Sequence, residues 1–382
     1  MNNRFMSGFA LTLAATVTFL TPATSAQAEA LTLTDIAGRQ VTLDERPEKI
    51  ILGEGRMMYA IAAISDGNPF ENIVGWKDDL VQFDPDAFRK FEAAFPADAE
   101  RMINFGNPYA GDFSIEGVLE ADADLVLLDS GNLFKAEETG LIEKLDKAGV
   151  PVVFIDFRRN ATENTVPSLL RILGEEAGSA EFIDFYIAEM RRVTNVIDTI
   201  PAEDRPLVVV ENAAGWQPDF CCWSFGPYNY GRFVELAGGV NHASTLANAY
   251  SVTLSMEGVI DADPDHVIGT GANWAEAKPE VTSTLLGYEG DASVNAEKIA
   301  ALAARPGFSE LRAVQEGNYH SIYHQFYNSP YHFVAVQQIA KWLYPDDFED
   351  LDPQDTFNRL HTEFMPFEAS GQFWLSADQV TQ

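Results

Sequence analysis

The chain of 382 residues has few basic residues for its length. Its 25 lysines and arginines stand against 58 aspartates and glutamates, which leaves a formal net charge of -33. A surface of this sign repels phosphate backbones and anionic lipid headgroups, so the composition argues against nucleic-acid binding and against electrostatic attachment to a membrane. The length and the 46% hydrophobic content nevertheless suit about two domains, each with a buried core.

Motifs that mark the common classes of enzyme are missing as well. There is no G-x-S-x-G nucleophile elbow, no H-E-x-x-H or C-x-x-C motif, no Walker A loop and no G-x-G-x-x-G after a predicted strand. His320 and His324 are the closest histidine pair. On their predicted strand they would stand about 13 Å apart, too far to chelate one ion directly. We therefore predict no catalytic residues, no resident cofactor and no metal ion.

No apolar run reaches the length of about 18 residues that a membrane-spanning helix needs. The first run, Phe9–Leu20, follows Arg4 and precedes the small residues TPATSAQA. That order is typical of a cleavable secretory signal, whereas an ordinary buried helix is the alternative. We expect a signal peptide at 1–28 with cleavage after Ala28. Since no cysteine follows the run, we expect no lipid anchor and predict a periplasmic location.

The only two cysteines, Cys221 and Cys222, are adjacent. Neighbouring residues cannot brace distant parts of a fold, so folding must rest on core packing. In an oxidising compartment a disulfide between the two neighbours is favoured over metal binding or simple burial.

One segment of the chain occurs twice. SIEGVLEADADLV, from Ser114 to Val126, returns as SMEGVIDADPDHV, from Ser255 to Val267, with 8 of 13 positions identical at a constant offset of 141 residues. Each copy predicts a short helix capped by its serine, then an Asp-rich turn and an apolar strand. A repeat at this spacing predicts two similar lobes.

Apolar strands alternate with helices around both copies of the repeat. The predicted strands are KIILG, NIVGW, LVLLD and VPVVFID in the first half, and PLVVVENAAG, HVIGT and NYHSIYH in the second. Alternation of this kind predicts one parallel sheet in each lobe, covered by helices on both faces. FSELRAV predicts a helix before the last of these strands, and Leu31–Asp44 predicts an N-terminal hairpin around a glycine turn.

The segment between the two halves predicts a single connecting helix. Apolar residues recur at helical spacing over Ala180–Ile200, without Gly or Pro, for about six turns. Such a helix is stiff and limits the relative motion of the lobes. The predicted domains are therefore an N-terminal lobe at 29–178, a bridging helix at 179–202 and a C-terminal lobe at 203–382.

Aromatic residues gather in two segments that follow predicted strands of the second lobe, Trp216–Arg232 and Tyr319–Phe333. Ligands of open parallel sheets bind beyond the carboxyl ends of the strands, where such rings would suit a large planar or chelated organic ligand. The ligand candidates are Trp216, Trp223, Tyr228 and Tyr327. We place His324 with them, in an exposed loop that also contains Gln325 and Asn328.

Cationic and phenolic side chains are predicted at strand ends that face the same cleft. In a chain this acidic, arginines at these positions would offer positive forks to carboxylates, catecholates or oxyanions. The candidates are Arg56, Tyr109, Arg158 and Arg159 in the first lobe, and Arg232 at the start of a helix in the second.

The order of these segments resembles one protein family. DIAGRQVTLDERPEKII, the paired S-x-E-G-V segments, AGVPVVFID and ELAGGVNHA are similar to the class III periplasmic substrate-binding proteins of ABC importers for ferric siderophores, haem and vitamin B12. The resemblance covers the mature chain and implies an α/β fold of two Rossmann-like lobes, each a parallel sheet flanked by helices, joined by one long rigid helix. It also implies that Glu116 and Glu257, one on each lobe, dock to arginines of the permease. Each acid could instead serve only its own helix dipole.

These observations together lead us to expect a monomeric binding protein and not an enzyme. It would capture a ferric-siderophore-type iron chelate between its lobes and deliver it to an inner-membrane ABC permease with its ATPase. Haem, cobalamin and a molybdate-type oxyanion are alternative ligands, with Tyr109 or His324 as the axial ligand of a haem. A metallochaperone or enzyme that uses Cys221 and Cys222, and a receptor-type sensor domain, are alternatives of other classes.

Overall fold

The computed structural model describes residues 30–65, 67–155, 176–217 and 221–380. The predicted signal peptide and the candidates Arg158 and Arg159 lie outside the described residues. Within them, no helix combines the length and the apolarity that a bilayer crossing requires.

The first lobe alternates strands and helices, as predicted. Its elements in chain order are β1 (Leu31–Thr34), β2 (Gln40–Leu43), β3 (Ile50–Leu52), α1 (Met58–Ile64), β4 (Ile73–Trp76), α2 (Asp79–Phe83), α3 (Pro85–Ala94), α4 (Pro96–Glu100), β5 (Ile103–Asn104), α5 (Ile115–Glu120), β6 (Leu125–Asp129), α6 (Leu133–Glu138), α7 (Leu141–Lys147) and β7 (Val152–Ile155). Strands β5-β4-β3-β6-β7 form one parallel sheet in that order. The predicted hairpin is the antiparallel pair β1–β2, in which Leu31 lies opposite Leu43.

Among the described residues, one long helix, α8 (Glu176–Ile197), lies between this lobe and the second. Its 22 residues span about 33 Å at the usual rise. The helix packs against α1 of the first lobe, and Phe182, Val193 and Ile197 on its inner side are buried. The same core cluster continues from the first lobe through this helix into the second.

The second lobe has the same alternation with one antiparallel strand added. Its elements are β8 (Leu207–Glu211), β9 (Trp223–Phe225), α9 (Tyr230–Leu236), β10 (Val240–Asn241), α10 (His242–Leu246), β11 (Ser251–Thr253), α11 (Met256–Ala262), β12 (His266–Gly271), α12 (Ala292–Ala303), α13 (Arg312–Gln315), β13 (Tyr319–Tyr323), α14 (Phe333–Leu343), α15 (Pro353–Phe364) and β14 (Trp374–Ser376). The sheet order is β10-β8-β12-β13-β14, parallel except for the edge strand β14, and β9 pairs with β11 in a separate ribbon. The sequence analysis did not predict β14, which has only three residues and acquires its partner β13 in the folded structure.

One predicted helix of this lobe is divided. FSELRAV forms a 3-10 turn at Phe308–Glu310 and then α13, because Leu311 between them has an extended backbone. The prediction of one continuous helix there is wrong.

The two repeat copies fold alike. Ser114 accepts a hydrogen bond from the backbone N–H of Gly117, and Ser255 accepts one from Gly258, each at 3.0 Å, so the predicted caps are confirmed. Helix α5 leads into β6 and α11 into β12, so each helix runs opposite to its strand. The start of each helix therefore lies at the carboxyl edge of its sheet.

Ion pairs and hydrogen bonds join the lobes directly. Arg89 on α3 lies among the carboxylates of Asp86, Glu276 and Glu289, with nitrogen–oxygen distances of 3.1, 2.9 and 2.6 Å. These three acids are close enough to one another to resemble a cation site, but the guanidinium occupies the space between them. Two of the acids belong to the second lobe, so Arg89 ties α3 across the lobe interface.

Candidate functional site

A cavity of about 270 Å³ lies where the carboxyl edges of the two sheets face each other. Arg56 enters it after β3, whereas Asn212, Trp274 and His324 enter it after β8, β12 and β13. Strand ends of both lobes therefore supply its walls, as the topology of parallel sheets predicts. The full lining is Arg56, Phe83, Asn212, Ala213, Trp216, Trp223, Trp274, His324, Gln325 and Tyr327.

Three indoles dominate the walls of this cavity. Trp216 and Trp274 meet edge to face, with ring centroids 5.3 Å apart and planes at 89°. Lys278 lies 4.4 Å from the Trp216 ring centroid and donates to the Trp216 carbonyl at 3.0 Å. Trp223 comes from the ribbon strand β9. The rings are thus held by their neighbours before any ligand arrives, which lowers the ordering cost of binding.

Arg56 joins the first lobe to the second inside the cavity. Its Nε donates to Asp79 at 2.5 Å, and its Nη2 lies 3.4 Å from Glu54. Its Nη1 donates to Gln325 and to the hydroxyl of Tyr327, both at 3.3 Å and both from the second lobe. Two carboxylates therefore balance the charge of Arg56, so at the cavity it offers directed N–H groups more than net positive charge.

His324 presents a neutral imidazole to the cavity. Burial, with a smaller contribution from the charge of Arg56, lowers the pKa of His324 to about 3. Its Nδ1 is 2.8 Å from the hydroxyl of Thr270, which also accepts from the backbone N–H of Ala213 at 2.8 Å. The ring packs edge on against Trp274 and Tyr327, with both centroid distances 4.9 Å. A neutral, oriented imidazole can donate or accept a hydrogen bond or coordinate a metal.

The segment that carries His324 is a buried 3-10 turn, His324–Asn328, so the prediction of an exposed loop is wrong. Gln325 and Asn328 are 1% and 3% exposed. Gln325 donates to the carbonyl of Phe83 at 2.9 Å and accepts from the Asn328 amide nitrogen at 2.7 Å, whereas the buried side-chain oxygen of Asn328 has no hydrogen-bond partner among the described residues. Composition alone places amides outside, whereas paired amides can be buried at little cost.

Three predicted ligand residues do not line the cavity. Tyr109 is half-buried with Lys77 at 5.5 Å from its ring centroid, and Tyr228 packs near Tyr250 with centroids 6.0 Å apart. Arg232 is exposed on α9. Arg158 and Arg159 belong to the part of the chain that the structure does not describe. Of the predicted set, the structure brings together Arg56, Trp216, Trp223, His324 and Tyr327.

Some lining residues were missed by sequence reasoning. Trp274 follows β12 by three positions, so the rule that pointed to strand ends applied to it, but no aromatic cluster drew attention there. Phe83 ends the short helix α2, and only the tertiary structure brings it to the cavity. The side-chain oxygen of Asn212 is buried and has no hydrogen-bond partner among the described residues, which leaves an acceptor at the cavity wall.

The cysteine pair lies immediately before Trp223. The structure joins Cys221 and Cys222 by a disulfide, with Cys222 buried and Cys221 half-buried. The backbone of Cys222 exchanges hydrogen bonds of 3.0 and 2.9 Å with Leu254. These contacts anchor the start of β9 and so fix the backbone that positions the Trp223 indole.

Glu116 and Glu257 are exposed at equivalent positions, in the first turns of α5 and α11. Both helices begin at the carboxyl edges of their sheets, so the two carboxylates lie on the side of the molecule where the cavity is found.

Comparison with known proteins places these features in a family. The sequence model described as "Periplasmic binding protein" matches residues 68–322, more than half of the chain. No match was found among curated proteins. In structure the chain is similar to the TroA-like periplasmic binding protein FepB from Veillonella parvula, with 26% identity over 90% of this chain and 99% of that chain and a TM-score of 0.80.

Two further solved structures share the fold at lower identity. One is the molybdate periplasmic binding protein MolA from Haemophilus influenzae, bound to molybdate, with 16% identity over 89% of this chain and 99% of that chain and a TM-score of 0.64. The other is the periplasmic heme-binding protein RhuT from Roseiflexus sp. RS-1, with 17% identity over 78% of this chain and 99% of that chain and a TM-score of 0.53. The expected two-lobed α/β fold is confirmed, and the chain belongs to the periplasmic binding protein family, whose members bind solutes for ABC importers and are not enzymes.

Proposed function

We propose that this protein captures a ferric-siderophore-type iron chelate in the cavity between its lobes and delivers it to the permease of an ABC importer. One observation carries the proposal: three indoles, the Tyr327 phenol and the Arg56 fork converge in a single cavity built from both lobes. Aromatic faces suit the organic shell of a chelate, and the phenol and guanidinium donors suit its oxygen atoms.

The size of the cavity limits how a chelate would sit. At about 270 Å³ it is slightly smaller than the range of about 300 to 1,000 Å³ that is usual for ligand pockets. A chelate of siderophore size would insert one face between the indoles and leave the rest at the mouth. No bond chemistry is needed for this role, since the ligand is held and then released.

Haem is the second candidate, and His324 is the observation that favours it. The imidazole is neutral because of burial, and it lies in the cavity beside two aromatic rings. A neutral imidazole is the form that coordinates iron. A haem would therefore find an axial ligand and stacking partners in the same cavity, although its larger macrocycle would protrude further than a compact chelate.

Tryptophan fluorescence separates the two candidates. The probes are a ferric catecholate, a ferric hydroxamate, haemin, cobalamin and molybdate, each titrated into the purified protein. We expect a ferric chelate to quench emission at micromolar concentration and Trp274→Ala to weaken that binding at least tenfold, since one stacking wall is lost.

Trp342→Phe is the matched control for this titration. Trp342 is half-buried and stacks on His320 with centroids 4.4 Å apart, outside the cavity lining, so its replacement should leave affinity unchanged. If haemin alone quenches the emission, and His324→Ala loses the Soret shift, then haem and not a ferric chelate is the ligand. A protein that responds to none of the probes would overturn both assignments.

Delivery rests on Glu116 and Glu257. The family works with a permease and its ATPase, and we propose that the two exposed carboxylates pair with permease arginines through charge-assisted hydrogen bonds. The double change Glu116→Ala and Glu257→Ala should keep ligand binding and abolish uptake. Unchanged uptake by the double variant would reject these residues as the docking groups.

A further inference from the structure

Each repeat helix exposes a large aliphatic side chain three residues after its glutamate. Leu119 follows Glu116 and is 53% exposed, and Ile260 follows Glu257 and is 40% exposed. The two positions are separated by the same 141 residues as the rest of the repeat. Among the exposed large apolar residues of the described chain, no other two occupy equivalent repeat positions.

The glutamate and the aliphatic residue share one helix face. Residues three apart are neighbours on a helix surface. The opposite face is fixed by Val118 in α5 and Val259 in α11, both fully buried, so each helix can present only its other face to the outside. Each lobe therefore presents a carboxylate and an apolar side chain side by side on the exposed face of its repeat helix.

Single exposed apolar residues are ordinary, but this pair is not explained by the fold. Neither side chain is needed by the core, because Val118 and Val259 already anchor the helices. In the first lobe Phe134, at the start of α6, is a further exposed apolar residue, with 77% of its surface accessible. What sets Leu119 and Ile260 apart is that each lies beside a glutamate at an equivalent repeat position, a pattern that contact with a partner would explain.

We propose that Leu119 and Ile260 are the apolar half of the permease-docking surface, each packing into a permease socket beside the arginine that pairs with Glu116 or Glu257. This inference rests on the proposed function and adds to it. One chain with two equivalent patches fits a partner that offers two equivalent sockets, which a two-fold symmetric permease dimer provides. The glutamates supply orientation and attraction, and the aliphatic side chains supply contact that survives screening by salt.

The test measures binding of the full-length mature protein to its cognate permease–ATPase complex in nanodiscs, at 0.1 M and 1 M NaCl. The double variant Leu119→Ser and Ile260→Ser should bind about tenfold more weakly for each residue changed, at both salt concentrations. Glu116→Ala and Glu257→Ala should lose most of their effect at 1 M salt, where the Debye length is about 3 Å. The control Ile103→Ser and Ile187→Ser changes aliphatic residues of similar exposure on the outer strand β5 and on α8, and should bind as the parent does.

The outcomes separate the inference from the function on which it rests. If the glutamate variant loses binding and the Leu119/Ile260 variant does not, the apolar contact is refuted and delivery to the permease stands. An equal loss in the Ile103/Ile187 control would also refute it, since the effect would then be general. If the parent protein binds no complex at all, the proposed delivery fails and the inference fails with it.

Discussion

A buried carboxylate between the lobes should make this protein less stable as the pH rises from 4 to 7. Asp84 is 1% exposed and accepts hydrogen bonds from the hydroxyls of Tyr59 in the first lobe and Tyr323 in the second. Both hydroxyls reach the same oxygen, Oδ2, while Oδ1 has no hydrogen-bond partner among the described residues. Burial raises the pKa of Asp84 to about 7, and the nearby charge of Asp86 adds to the rise.

The size of the effect follows from that pKa. In the unfolded chain Asp84 releases its proton near pH 4, so between pH 4 and 7 the native state binds more protons than the unfolded state. Native stability contributed by Asp84 is therefore present at low pH and is lost as the pH rises through this window. Three pH units at 1.36 kcal/mol each amount to about 4 kcal/mol.

The change Asp84→Asn removes the titration and nearly keeps the shape. Near pH 4 the variant should be at most about 1 to 3 kcal/mol less stable than the parent. The reason is that the new amide NH2 group would take the place of Oδ1, where the structure offers it no hydrogen-bond partner. Relative to the parent, it should gain about 4 kcal/mol by pH 8. Urea unfolding, monitored by tryptophan emission at five pH values, gives the free energy of unfolding of the variant and of the parent. The contributions of the other titrating groups cancel when one value is subtracted from the other.

Asp79→Asn is the matched control, because Asp79 is also 1% exposed but is paired with Arg56 at 2.5 Å. Removing a carboxylate that balances a buried cation should destabilise the protein at pH 8, by about 3 to 5 kcal/mol. A stability difference for Asp84→Asn that stays constant from pH 4 to 8, or that turns against the variant at high pH, would refute the reasoning.

Two more predictions concern buried groups of the second lobe. Arg305 forms an ion pair with Glu211, with nitrogen–oxygen distances of 2.8 and 2.5 Å. Arg305→Met should therefore lower the free energy of unfolding, measured in urea, by about 3 to 5 kcal/mol, and adding Glu211→Gln should recover part of that loss. If the second change recovers nothing, the loss comes from packing and not from the unpaired charge. Burial lowers the pKa of His361 to about 4, so its contribution to native stability is complete above pH 6.5 and falls by about 3 kcal/mol as the pH drops to 4. His361→Gln should therefore differ less from the parent at pH 4 than at pH 7, and an equal difference at both pH values would contradict a neutral native imidazole.

Much of the fold follows from local pattern. The paired segments at Ser114 and Ser255, the apolar strands beside them and the uninterrupted helical spacing of α8 are each properties of a few consecutive residues. The spacing of apolar residues and the capping of helices depend on neighbouring residues alone, so both can be predicted without knowledge of the tertiary packing. The edge strand β14 and the ribbon β9–β11 were not predicted, because short strands acquire their partners only in three dimensions.

The site was predicted only in part, and its misses have a common cause. The rule that ligands bind at strand ends selected Arg56, Trp216 and His324, which the cavity unites. It also selected Tyr109 and Arg232, which the cavity does not include, because many side chains follow a strand and few of them turn inward. The sequence also did not reveal the hydrogen-bond and ion-pair partners of the candidate side chains.

The sequence by itself determined that the chain has two related lobes, most of the strands in their sheets and which two glutamates correspond, because repeats and periodicity are properties of the chain itself. Only the tertiary structure decided that Arg56 shares its charge with Asp79 and Glu54, that a helical turn buries Gln325, and that Trp274 packs edge to face against Trp216 in the cavity wall. Charge balance, burial and ring contacts depend on distances between residues remote in sequence. Those distances exist only once the two sheets face each other across the cavity.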